Sequence, residues 1–131
     1  MPHLVLEYSA NLEPALDVKS VVAAVHQAAL ETGIFPVGGT RTRAARREVY
    51  RIADGHPDNA FVHLAARIGH GRGEETKRAA GEHIFAALKA ALAEAFAQRP
   101  LAISFEMAEI DPKTSFKHNN LHAILERRAA E

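Results

Sequence analysis

The chain has 131 residues, enough for one domain, and 47% of them are hydrophobic, which supports a core and argues against disorder. Sixteen basic and sixteen acidic side chains balance, and only six Phe and two Tyr are present, so neither a broad pull toward nucleic acid or an anionic membrane nor a base-stacking platform is expected. The absence of Cys excludes disulfides, thiolate chemistry and Cys-based zinc sites.

Residues 3–8 alternate, with Leu4, Leu6 and Tyr8 on one face and His3, Val5 and Glu7 on the other, which predicts a strand. Asp17 is the expected N-cap of a helix carrying Val18, Val21, Val22, Val25 and Ala29, and Gly33 stands where a terminating glycine belongs. Ile34-Phe35-Pro36 and Gly38-Gly39 lead into a second extended stretch, about 40–53; a turn at 55–59 and a strand over 60–69 follow. Gly69-His70-Gly71-Arg72-Gly73 is a glycine-spaced loop before a long helix, 74–98. Pro100 restarts the chain as a strand over 101–110 with Leu101, Ile103, Phe105 and Met107 on its apolar face, and a polar tail ends in a short helix after Asn120.

This order predicts an α+β fold in a single domain over 1–131. Two βαβ units form one four-stranded sheet with two helices on one face. Parallel strand pairs are normally covered on both faces, so the second face, expected to be mainly apolar and to involve groups such as Val5, Val62 and Leu64 on one pleat or the other, calls for neighbouring subunits. No apolar run approaches the roughly 20 residues of a membrane span, and no signal-peptide pattern opens the chain. The expectation is a soluble cytoplasmic protein.

Among groups able to do chemistry, Pro2 comes first. Removal of Met1 would leave a secondary amine at the head of the first strand. An α-amino group titrates at about 7.7–8.0 in water, and burial or a nearby Arg lowers that value, leaving a neutral base near pH 7. The bland alternative is an ordinary terminal residue, and the position by itself does not decide between them. Arg41 and Arg43 follow Gly38-Gly39, and Arg72 lies in the glycine-spaced loop; each can hold a carboxylate in a bidentate fork, or sit solvated as Arg46 and Arg47 are expected to do. Gly69, Gly71 and Gly73 lack the spacing and Lys of a phosphate-binding motif. His118 and His122 are four apart, but no third ligand is evident, so no metal is assigned. No nucleophile elbow or triad signature is present.

Taken together, certain segments resemble the 5-carboxymethyl-2-hydroxymuconate isomerase family of the tautomerase superfamily. They are Met1-Pro2-His3 with Glu7, Thr32-Gly33-Ile34-Phe35-Pro36, Gly39-Thr40-Arg41-Thr42-Arg43, Ala53-Asp54-Gly55, Ala60-Phe61-Val62-His63, Ile68-Gly69-His70-Gly71-Arg72, Ser104-Phe105-Glu106 and Phe116-Lys117-His118-Asn119-Asn120-Leu121-His122. The resemblance implies a homotrimer, Pro2 as catalytic base, and Arg41 and Arg72 as substrate-binding arginines, with Phe35 drying the pocket. It also implies a cofactor-independent shift of a double bond in a small polycarboxylate, within the breakdown of homoprotocatechuate derived from 4-hydroxyphenylacetate. One departure is Ala44-Ala45-Arg46-Arg47, more basic and less aromatic than the family's usual stretch there. The alternatives are a related tautomerase or hydratase acting on another unsaturated keto acid, and a trimeric binding protein without catalysis.

Overall fold

Alternation near the N-terminus becomes β1 (His3–Ser9), in which Leu4, Leu6 and Tyr8 are buried while His3, Val5 and Glu7 are only half-buried, in a computed structural model that describes residues 2–131. Helix α1 (Val18–Glu31) begins where Asp17 accepts hydrogen bonds from the Ser20 backbone at 3.4 Å and the Ser20 hydroxyl at 2.7 Å. It ends before Gly33, whose φ of +74° is a conformation that glycine adopts without a Cβ penalty. The remaining elements are β2 (Arg41–Arg47), β3 (Ala60–Ile68), α2 (Glu74–Ala91), α3 (Ala93–Gln98), β4 (Leu101–Glu109) and α4 (Leu121–Ala130).

The sheet order is β2-β1-β3-β4. β1 and β2 run parallel, β3 and β4 run parallel, and the two halves join through the antiparallel β1–β3 pair. This is the predicted duplication of a strand-helix-strand unit. Leu4, Leu6, Val62, Leu64 and Ile68 pack with Val21 and Val25 of α1 and Ile84, Leu88 and Leu92 of the second helical region, all essentially fully buried. Burying each such side chain contributes about 1.5–3 kcal/mol relative to leaving it in water. No helix is long and apolar enough to cross a membrane among the described residues.

Three expectations need correction. The stretch read as extended over 40–53 forms ladder only to Arg47, because β1 stops at Ser9, the residue paired with Arg47. Beyond it the chain turns, with Ala53 and Gly55 at positive φ and the Asp54 carboxylate accepting the His56 N–H at 3.1 Å and the Asn59 amide at 2.8 Å. The long helix opens at Leu92, where φ is −103° and ψ 6°; the bonds Leu92 N–H to Leu88 and Phe96 N–H to Leu92 carry the helical period across the break. Finally, Val62 and Leu64 lie under the helices. The register places His3, Arg41 and Arg67 in one row of the other face, Val5, Arg43 and Ala65 in the next, and Glu7, Ala45 and His63 in the third. The open face is therefore studded with charge and small side chains rather than mainly apolar.

Candidate active site

Topology gathers the candidate residues at one end of the sheet. β1 and β2, being parallel, both start there, and β3, antiparallel to β1, ends there. Pro2 precedes β1, Arg41 opens β2, and the 69–73 loop leaves β3. Pro2 is fully buried, and its carbonyl accepts the Arg41 N–H at 3.1 Å, the first rung of the β1–β2 ladder. Pro2 is thus tied to the central sheet. Removal of Met1, on which a free amine depends, lies outside the described residues.

Arg72 bridges two loops. Its Nη1 donates to the Gly69 carbonyl at 3.1 Å and its Nη2 to the Ile34 carbonyl at 2.6 Å. The guanidinium carbon stands 5.2 Å from the centroid of Phe35, a cation–π distance. Phe35 is itself buried, so the arginine, the aromatic ring and the loop after α1 form one unit. Guanidinium offers five N–H donors in a fixed fork, and the two carbonyls engage two of its three nitrogens, so the head is oriented while retaining donors for an anion.

Arg41 is reached through a short 3-10 turn, Val37–Gly39, braced by the Thr40 hydroxyl donating to the Pro36 carbonyl at 2.8 Å. The C-terminal segment packs on that turn: Asn119 donates to the Gly38 carbonyl at 3.3 Å. A Cβ on Gly38 would come within 2.7 Å of the His122 ring, so any larger residue there would push that ring aside. Arg43 Nη1 donates to His3 Nδ1 at 3.1 Å, which leaves the His3 proton on Nε2. Burial, then Arg43, Arg41 and Arg67, hold the His3 imidazole below its ordinary pKa of 6.5.

Arg46 and Arg47, expected to be solvated, are half-exposed but paired: Arg46 with Glu13 at 3.1 Å and Arg47 with Glu7 at 2.6 Å. His63 hydrogen-bonds Ser104 at 2.6 Å through Nδ1 and Glu106 at 2.8 Å through Nε2 across β3 and β4. The site reading from sequence did not include His3, Asn119 and His122 as supports of the arginine end. The one segment that contains both Asn119 and His122, Phe116 to His122, carried a signal, but its proximity to Gly38 depends on tertiary packing.

With this geometry established, comparison with known proteins gives a consistent result. The model of the 5-carboxymethyl-2-hydroxymuconate isomerase family matches residues 2–125. A 5-carboxymethyl-2-hydroxymuconate Delta-isomerase from Escherichia coli is 40% identical over 124 residues, covering 95% of this chain and 98% of its own. The crystal structure of a 5-carboxymethyl-2-hydroxymuconate isomerase from Deinococcus radiodurans R1 is 43% identical with a TM-score of 0.88, covering 95% of this chain and 93% of its own. A fused 4-OT described as a symmetric trimer shares only 15% identity, at a TM-score of 0.66 over 88% of this chain and 93% of its own, and so shares the fold. A tautomerase-like sheet, the match over nearly the whole chain and relatives covered over more than nine-tenths of their own length lead to one conclusion: this chain belongs to the 5-carboxymethyl-2-hydroxymuconate isomerase family.

Proposed function

We propose that this chain moves a double bond in 5-carboxymethyl-2-hydroxymuconate, without a cofactor, using the Pro2 amine as its base after Met1 is removed. The substrate is a dienol. Its hydroxyl proton passes to the neutral Pro2 nitrogen, electrons shift along the conjugated chain, and the resulting ammonium returns a proton to a distant carbon, so one group serves as base and then as acid. Arg41 and Arg72 bind carboxylates or the developing dienolate oxygen, and Phe35 keeps the pocket dry. Three copies form the working particle, in cytoplasmic breakdown of homoprotocatechuate.

The observation that carries this reading is the full burial of Pro2 at the head of the sheet's β1 strand, at the same end as Arg41 and the Arg72–Phe35 unit. An amine freed at this buried position, with Arg41 beside it in the chain ladder, would favour its neutral form, the form a base requires. The test compares protein with Met1 retained and protein with Met1 removed, both checked by mass spectrometry and shown to have the same assembly. The retained form carries an amide nitrogen, with no usable lone pair, and is expected to be nearly inactive on the muconate followed by ultraviolet absorbance. The trimmed form should lose activity as pH falls through the amine's pKa. Equal kcat/KM in the two preparations would remove Pro2 from the mechanism.

A further inference from the structure

The substrate named by the family has three carboxylates, two on the muconate chain and one on the carboxymethyl arm. Arg41 and Arg72 account for two of them. The register supplies more positive charge beside Arg41: Arg41 on β2, His3 on β1 and Arg67 on β3 are directly opposite one another and share the open face. With neighbouring strands about 4.8 Å apart, the row spans roughly 10 Å, a distance two long guanidinium side chains can close around one extended acid. Arg67 is exposed, and no hydrogen bond or ion pair engages it among the described residues. His3, with Nδ1 occupied by Arg43, presents an Nε2–H donor. Two adjoining concavities, of about 280 and 380 Å³, share His3 and Ile110; His70 and Lys117 line the first, Arg67 and Asp111 the second. The acidic member, Asp111, has one oxygen committed to the Lys113 N–H at 2.9 Å.

We propose that Arg67, with His3 beside it, binds the carboxymethyl carboxylate and so sets the preference for a three-carboxylate over a two-carboxylate dienol. The proposal rests on the isomerase reading, and its test separates the two. Arg67→Ala and Arg67→Lys are compared with the unmodified chain on 5-carboxymethyl-2-hydroxymuconate and on 2-hydroxymuconate, which lacks the arm, the latter measured as substrate or as competitor. Loss of one charge-assisted contact is expected to raise KM for the three-carboxylate acid about 10- to 100-fold in Arg67→Ala, with kcat little changed. Affinity for 2-hydroxymuconate should be unaltered, and Arg67→Lys should recover part of the loss. An equal effect on both acids, or no effect on either, overturns the proposal. So does weakened binding that tracks dissociation of the assembly in sedimentation, which would make Arg67 a subunit contact. An unmodified chain without activity on the three-carboxylate acid overturns the isomerase reading itself.

Discussion

Replacing Arg72 by Ala should do two separable kinds of damage. The side chain makes two hydrogen bonds to backbone carbonyls, of Gly69 and Ile34, and one cation–π contact to Phe35. A hydrogen bond to a charged donor contributes about 1.5–3 kcal/mol, and a half-buried cation–π contact about 0.5–2 kcal/mol. These terms do not add, because one side chain makes all three and water reaches the part-buried carbonyls once it is gone. The net loss of stability is therefore about 1–3 kcal/mol, readable as a lower urea midpoint at unchanged slope. If Arg72 also holds a substrate carboxylate, kcat/KM should fall by a further factor of about 10–100, measured where the variant is fully folded. Arg46→Ala is the control: its pair with Glu13 is half-exposed and contributes roughly 0.2–1 kcal/mol, with little effect on turnover. A fully stable Arg72→Ala would refute the bridging role, and an Arg46→Ala more damaging to kcat/KM would refute the anion-binding role.

Sedimentation at micromolar concentration should report three chains per particle, with neighbours meeting the open face along the rows of Val5 with Arg43 and Glu7 with His63 and leaving the row of His3, Arg41 and Arg67 to the substrate; a stable, active monomer would contradict this. Asp17 titrates below its ordinary value of 3.8, first because of the Ser20 hydroxyl and then the Ser20 N–H. A depressed carboxylate contributes stability above its unfolded pKa and loses that contribution as pH falls through the folded one. Unfolding temperatures of the native chain and Asp17→Ala should therefore differ at neutral pH and converge in acid below 3.8; a gap that persists there would count against the cap.

Much of this was legible from local pattern. Alternation defined β1, Asp17 and Gly33 bounded α1, and the glycine-spaced segments marked where arginines gather. What was hidden depends on tertiary partners. Period-two alternation separates two faces but does not say which one the helices cover, which is why Val62 and Leu64 were assigned to no definite side. The end of β2 is set by where β1 runs out, and no residue in β2 itself records that. The row of Arg41, His3 and Arg67 exists only through strand order and register, since its members come from three separate segments. Arg72 was legible as a cation, but its hold on Ile34 joins residues 38 positions apart.

The burial of Pro2 bears on when the chain must be processed. An aminopeptidase needs an accessible, extended end, yet the folded protein ties the Pro2 carbonyl into the β1–β2 ladder and encloses its ring. On the proposed Pro2 mechanism, trimming would meet the least structure on the nascent chain, before β2 has emerged to pair with β1. On that same mechanism, a molecule that folds ahead of the peptidase would be a folded but inert protein. The active fraction of a preparation would then be fixed by a race at the ribosome, and rapid overexpression would lower specific activity without lowering solubility.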